Sequence, residues 1–101
     1  MTSTLKSYKT KNVTTEQAVL TVPATTIVTM IGMTIANTSG VETEVSVLLD
    51  DTYIVKNATI IKGSAVVPIG GEQKVVVNAN SSIRVVATQP VDVICSVLEQ
   101  K

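Results

Sequence analysis

The chain has 101 residues, with eight basic and eight acidic side chains, two tyrosines, one cysteine and no histidine. Its length fits one domain, and its zero net charge argues against nucleic acid as a partner, because phosphate binding needs concentrated Lys and Arg. Without histidine, Ser-His-Asp and Cys-His catalysis and nearly all zinc sites are excluded. We therefore expect neither an enzyme nor a cofactor.

The N-terminal residues and the apolar runs predict synthesis in the cytoplasm. Met1 is followed by small polar residues instead of a charged and then apolar stretch, so no secretory signal is predicted. No apolar run approaches the ~18 residues of a membrane span, so we expect no membrane partner. Cys95 is the single cysteine, and folding therefore needs no intrachain disulfide.

Val, Ile and Thr make up 42 of the 101 residues, and these β-branched side chains favour strands. Turn signals recur every 8–12 residues, as in sandwiches and barrels. We predict an all-β, antiparallel β-sandwich, Ig-like or jelly-roll-like, of about eight strands. It occupies residues 13–101, and residues 1–12 form an N-terminal edge strand or extended arm. The predicted strands are 5–13, 17–22, 27–37, 41–49, 53–56 continued after a bulge by 59–61, 65–68, 74–77, 83–87 and 91–98, which makes eight or nine.

Alternation along these strands predicts which side chains share a face. Strand 27–37 places on one face Ile27, Ile31, Met33 and Ile35. In strand 41–49 the side chains that point inward are those of Val41, Val45, Val47 and Leu49. Those that point to water are Glu42, Glu44 and Ser46. Strand 91–98 places on one face Val91, Val93, Cys95 and Val97.

Gly, Asn and Asp mark the predicted turns. The turns are 37–40, Asp50-Asp51, Gly70-Gly71 and 78–82, with a bulge at Asn57 and Ala58. Asp50 and Asp51 could contribute to a calcium site, but no oxygen-ligand spacing supports one, and a turn role is favoured. Four Asn-x-Ser/Thr sequons are interpreted as turn composition: Asn12, Asn37, Asn57 and Asn80.

Isolated reactive groups have structural interpretations. Cys95 lies on an apolar strand face, where a small core residue is favoured over a nucleophile. Glu42 and Glu44 share a strand face, and we interpret them as solvated face residues.

The balance of apolar and charged residues is unusual for a soluble monomer. Hydrophobic residues make 45% of the chain and charged residues 16%, and the mean hydropathy is +0.38. Such a chain has more apolar surface than a small core of Val and Ile can hide, and leftover apolar surface indicates subunit contacts. The alternative is a two-sided core that hides all of it. We favour a homo-oligomer.

A mild basic stripe, formed by Lys6, Lys9 and Lys11 with Tyr8, marks the first segment. One interpretation is an arm that docks on an acidic neighbouring subunit. The other is protection of an edge strand, since Lys on an edge blocks aggregation. The sequence supports both equally.

Several segments together resemble a family of short virion structural proteins from tailed bacteriophages of marine and cyanobacterial hosts. They are 5–8, the strand end Thr21-Val22-Pro23, 31–38, 53–58, 71–76 and 92–99. The resemblance spans the whole chain. It implies a β-sandwich that serves as a virion building block, and it carries over no catalytic residues.

The function implied is a non-enzymatic structural subunit of the virion, made in the host cytoplasm. Capsid decoration, as a cement protein bound to the major capsid protein, is the favoured placement, and a trimer is implied by analogy. The alternatives are a subunit of the tail, neck or baseplate, or a module that binds a host receptor or glycan.

Overall fold

The structure, a computed structural model, describes residues 2–70 and 74–101. These residues form nine strands and no helix, which confirms the all-β sandwich. The strands are β1 (Ser3–Val13), β2 (Gln17–Thr21), β3 (Ile27–Asn37), β4 (Thr43–Leu49), β5 (Thr52–Ile60), β6 (Ala65–Ile69), β7 (Val75–Val77), β8 (Ser82–Ala87) and β9 (Val91–Gln100).

Two antiparallel sheets form the sandwich. The five-stranded sheet has the order β1-β9-β3-β6, with β7 also paired to β3, and the four-stranded sheet has the order β2-β8-β4-β5. Strands equally far from the β4–β5 turn pair with each other, as in one long folded hairpin. The pairs are β4 with β5, β3 with β6 and β7, β2 with β8, and β1 with β9. Rolling up that hairpin brings β8 beside β4 and β9 beside β3. This is the jelly-roll connectivity, and it differs from the Ig order, in which the first two strands are neighbours.

The core lies between the sheets and is built without Phe or Trp. Its largest fully buried side chains include Met30, Met33, Ile35, Ile69 and Ile83. Each such side chain contributes roughly 1.5–3 kcal/mol on burial. The unbranched methionines fill gaps that the stiff β-branched residues leave.

A bulge in β3 changes which of its side chains face the core. Between Met30 and Gly32 the register against β9 shifts, so Ile31 is the extra residue. Met33 is therefore buried, whereas Ile31 is exposed to solvent. The prediction that Ile27 and Ile31 share a face with Met33 and Ile35 is wrong, because one inserted residue reverses the alternation.

β4 begins later than predicted and is covered on both sides. Val41 lies outside the strand and is exposed, and Ser46 is buried instead of facing water. The bulge predicted at Asn57 and Ala58 is confirmed, and it lies opposite Ser46: Asn57 has a φ of 53°, and its backbone N–H donates to Ser46 Oγ at 2.9 Å. The Ser46 hydroxyl donates in turn to Asn57 Oδ1 at 3.3 Å, so the bulge satisfies the buried serine.

Polar side chains fix the turns. Asp50 has a φ of 55°, and its Oδ1 accepts a hydrogen bond from the N–H of Ser82 at 2.9 Å, which ties the β4–β5 hairpin to β8. The buried Asn37 amide donates to the carbonyls of Val41 and Ile60, at 2.8 and 3.0 Å. Of the predicted Gly70-Gly71 turn, Gly71 lies outside the described residues.

The first segment belongs to the five-stranded sheet. β1 pairs with β9 from Ser3 to Thr10 and again at Val13, and no strand among residues 2–70 and 74–101 pairs with its other side. Residues 3–13 are therefore an edge strand in this structure. Their role as a docking arm stays a prediction.

Candidate interaction surfaces

Two candidate reactive sites have structural roles in the fold. Cys95 is fully buried in β9, and burial raises the pKa of its thiol to about 11. Asp50 serves the hairpin turn, as predicted. Within 2–70 and 74–101, no group of three or more His, Cys, Asp or Glu side chains could hold a metal ion. The expectation that the chain is not an enzyme stays a prediction.

Of the four predicted sequons only Asn80 lies in a turn, whereas Asn12 and Asn57 lie in β1 and β5 near register shifts and Asn37 ends β3. Asn12, Asn57 and Asn80 all have a positive φ, between 53° and 67°, a conformation that Asn tolerates better than most residues. Asn37 is buried and engaged in the hydrogen bonds described above. Over the described part of the chain, no helix is long and apolar enough to cross a membrane.

The basic stripe of β1 is divided between the two sides of the strand. Lys6 and Tyr8 lie opposite Val97 and Cys95 on the core side, whereas Lys9 lies opposite Ile94 on the outer side. Alternation in an edge strand separates them, because neighbouring odd and even positions point to opposite faces. The four residues of the predicted arm therefore form two groups.

Lys6 and Tyr8 meet at one carboxylate, that of Glu99. Lys6 Nζ lies 3.0 Å from Glu99 Oε2, and the Tyr8 hydroxyl donates to the same oxygen at 2.8 Å. The Glu99 side chain is only 6% exposed, while that of Lys6 is 47% exposed. Hydrogen bonds from Lys6 and then Tyr8 hold the pKa of Glu99 below its ordinary value of 4.5. The Glu99 carboxylate, partnered by both donors, lies at the edge of the core.

The same cluster shifts the pKa of its donors. The hydrogen bond to Glu99 raises the pKa of Lys6 above 10.5, and partial burial, followed by the hydrogen bond to Glu99, raises the pKa of Tyr8 above 10.0. Both donors therefore keep their protons at neutral pH. A shallow cavity of about 220 Å³ adjoins the cluster, lined by Thr2, Thr4, Lys6, Glu99 and Lys101.

Sequence reasoning missed Glu99 as a partner of the stripe. The signal was present, because Glu99 continues the alternation of Val93, Cys95 and Val97, all of which face the core. An acid at the end of a buried face requires a partner. Tyr8 and Lys6 provide it from the neighbouring strand.

The other two lysines of the stripe are free of that cluster. Lys9 and Lys11 are exposed, and no ion pair to either is present among the described residues. Together with Asp92 and Ile94 they line a cavity of about 380 Å³. Asp92 also accepts a hydrogen bond from the backbone N–H of Asn12 at 3.0 Å.

The outer face of the five-stranded sheet has several exposed apolar side chains. Here the outer face means the side of that sheet turned away from the core. One row of directly paired residues crosses it, which we call the apolar row: Leu5, Leu98, Thr29 and Val76. Leu5 is 72% exposed and Val76 is 53% exposed. The alternative in which a two-sided core hides all the apolar residues is thus wrong.

A second row, two residues along, consists of small residues. It contains Ser7, Ser96 and Gly32, and we call it the small-residue row. A cavity of about 390 Å³ lies over Ser7 and Ser96, and Leu5 and Ile31 form its walls. Ile94, 48% exposed, lies beyond this row. The outer face therefore has a ridge, a furrow and a second ridge.

The outer side of the four-stranded sheet has a different character. Arg84 Nε lies 3.0 Å from Glu16 Oε2, and Lys56 Nζ lies 5.2 Å from the centre of the Tyr53 ring. Arg84 lies on β8 and is half-buried, whereas Lys56 lies on the edge strand β5 and is exposed. The apolar surface of the sandwich is thus concentrated on its five-stranded side.

Comparison of the chain with protein-family models, with curated proteins and with solved structures found no match.

Proposed function

We propose that this chain is a non-enzymatic structural subunit of a bacteriophage virion, and that it decorates the capsid as a cement protein. The observation that carries the proposal is the uncovered apolar outer face, with Leu5, Ile31 and Ile94 in solvent. Exposed apolar patches of this kind mark protein–protein contact sites. A cement protein works through such contacts and needs no reaction chemistry.

The fold and the sequence resemblance support the same class of function. Jelly rolls recur in viral capsid domains, although they also occur in lectins and cupins. This support is an analogy at the level of the fold, because one fold serves many functions. The whole chain resembles short phage virion proteins, and among the functions of the fold this resemblance favours a structural role in the phage particle.

The partner that we propose is the major capsid protein, contacted through the outer side of β1. Lys9 and Lys11 supply positive charge there, beside the cavity that Asp92 and Ile94 line. An acidic patch on the capsid surface would be complementary to these lysines. Charge complementarity of this kind steers association and fixes the register of an interface.

The direct test is to purify the particles of the phage that encodes the chain and to locate it by cryo-electron microscopy. We expect density for the sandwich on the outer capsid surface. Density on the tail, neck or baseplate would replace capsid decoration by one of those placements. Failure to find the chain in purified particles, by mass spectrometry, would overturn the virion proposal altogether.

The role of β1 requires substitutions instead of deletion. Removing residues 1–12 would strip the edge strand from β9 and leave Glu99 without Tyr8 and Lys6. The double variant K9E/K11E keeps the strand and reverses both free charges. We expect it to lose binding to particles that lack the protein, in a co-sedimentation assay. The matched control K62E/K74E, which makes the same change of charge away from β1, should still bind.

A further inference from the structure

The outer face has the shape that a copy of itself would fit. The apolar row and the small-residue row are two residues apart, which is about 6.6 Å along the strands. Consider two copies related by a two-fold axis that runs across the strands, midway between the two rows. Each apolar row then lies over the small-residue row of the other copy, and both contacts form at once, as an isologous interface requires.

We propose that the outer face of the five-stranded sheet is a homodimer interface, in which Leu5 of each copy enters the cavity over Ser7 and Ser96 of the other. Leu5 is the most exposed of the large apolar residues on this face. The cavity that receives it measures about 390 Å³ and has an isoleucine, Ile31, as its far wall. The β3 bulge creates that wall by turning Ile31 outward.

The size of the face is suited to a stable dimer. β3 has 11 residues, which span about 36 Å, and four strand positions across the sheet span about 19 Å. The face therefore covers about 700 Å² per copy, or about 1,400 Å² in the pair. Stable, specific interfaces bury about 1,200–2,000 Å² in total. Sheets that pack face to face, about 10 Å apart, interdigitate in this manner.

Charge favours a second copy over a differently charged partner. The apolar row and the small-residue row contain no ionisable side chain, and the formal net charge of the chain is zero. Two copies therefore approach without net repulsion, and contact between these two rows desolvates no unpaired charge; Lys9, which pairs with Ile94 on the edge strand β1, lies outside the two rows. A strongly acidic or basic partner would find no complementary charge in these rows.

The β1 edge of the sheet disfavours a competing mode of association. Lys6, Lys9 and Lys11 line β1, where lysines oppose the addition of another strand. Edge-to-edge association through β1 is thus disfavoured, whereas the adjoining face is open. This inference goes beyond the virion proposal and uses the same outer face: a dimer would bury Leu5, Ile31 and Ile94 and leave the lysines at the β1 edge for a capsid contact. The mass measurement tests the dimer and the K9E/K11E binding assay tests the capsid contact, so the two proposals can fail separately.

The test is the mass of the purified full chain by light scattering and sedimentation equilibrium, from low micromolar to hundreds of micromolar concentration. We expect a dimer for the wild type. The variant L5K/I94K, which places two lysines in the interface, should raise the dimer dissociation constant about 30-fold or more. The control V41K/I61K alters two residues of comparable exposure outside the face, and it should remain dimeric.

Circular dichroism and thermal unfolding show whether each variant is folded. If lysine at position 94 unfolds β9, L5T/I94T is used instead, because Thr retains the preference for strands while shortening both ridges. A monomeric wild type at the highest concentration would overturn the proposal. So would a trimer, or a dimer that persists in the folded L5K/I94K or L5T/I94T variant.

Discussion

Replacement of Tyr8 by Phe tests whether the Glu99 cluster stabilises the rim of the sandwich. The substitution removes one hydroxyl and leaves the ring packed against the core. Glu99, 5% exposed, then keeps only the partly exposed Lys6 as a partner. A buried carboxylate that loses a donor is left partly unsatisfied, so the folded state should lose stability.

The expected loss follows from the type of hydrogen bond. Bonds to charged groups contribute about 1.5–3 kcal/mol. Tyr8 is half-buried at the rim, so we expect about 1.5 kcal/mol at neutral pH, the lower end of that range. For a domain of about 100 residues each kcal/mol shifts Tm by about 4–8 °C, which predicts a fall of about 6–12 °C.

The loss should depend on pH with a definite sign. The pKa of Glu99 is lowered by folding, so its contribution is complete above 4.5 and disappears as the pH falls through the folded pKa. Without the Tyr8 hydroxyl the pKa of Glu99 moves back toward 4.5. The difference between the wild type and Y8F should therefore shrink in acid, toward the roughly 1 kcal/mol that is typical of a neutral hydrogen bond.

The assay is urea unfolding, followed by circular dichroism, at neutral pH and at a pH below the folded pKa of Glu99. The matched control is Y53F, because Tyr53 is the other tyrosine, is 49% exposed and donates no hydrogen bond to a carboxylate within the described structure. Y53F should change stability by less than about 0.5 kcal/mol. Equal losses in Y8F and Y53F, or a Y8F loss that is the same at both pH values, would refute the reasoning.

Three further predictions concern the core and the bulge. Ile35→Ala should lower the free energy of unfolding by about 2–5 kcal/mol and Ile35→Val by about 0.5–1.5 kcal/mol in urea titrations, because the side chain is fully buried. Asn57→Ala should destabilise by about 1–2 kcal/mol more than Asn57→Gly, because Gly accepts the positive φ without strain. Cys95 should react with a thiol reagent only as fast as the protein opens, so denaturant should accelerate labelling by orders of magnitude; fast labelling of the native protein would contradict its burial.

The strands were predictable where turn residues bound them. The predicted 27–37 strand has the observed bounds, and the Asp50-Asp51 hairpin and the Asn57 bulge were also predicted. Each carries local chemistry, since Asn and Asp tolerate positive φ and satisfy nearby backbone groups. The choice between Ig-like and jelly-roll connectivity was not predictable, because it depends on pairings such as β1 with β9 that lie far apart in sequence.

The bulge at Ile31 shows why the two faces of strand 27–37 were assigned wrongly from the sequence. The run 27–35 is largely apolar on both faces, and its two polar residues, Thr29 and Thr34, are tolerated on either face, so they do not reveal where the alternation shifts. The shift is determined by pairing with β9, where Met30 lies opposite Val97 and Gly32 lies opposite Ser96. Burial of Met33 and exposure of Ile31 result from that tertiary pairing. Surplus apolar surface was predictable from composition, but its position was not.

The distribution of the few charged residues explains how this sandwich can be apolar and still avoid uncontrolled association. Lysines line the β1 edge, where an added strand would otherwise pair through exposed backbone groups. Glu16, Arg84 and Lys56 lie on the four-stranded side. The apolar and small-residue rows, on the other side, have none. Charges in those rows would make a monomer more soluble, and outward strand positions accept polar residues readily. Edge protection blocks open-ended strand addition, and the uncharged rows leave a ridged surface for one closed contact.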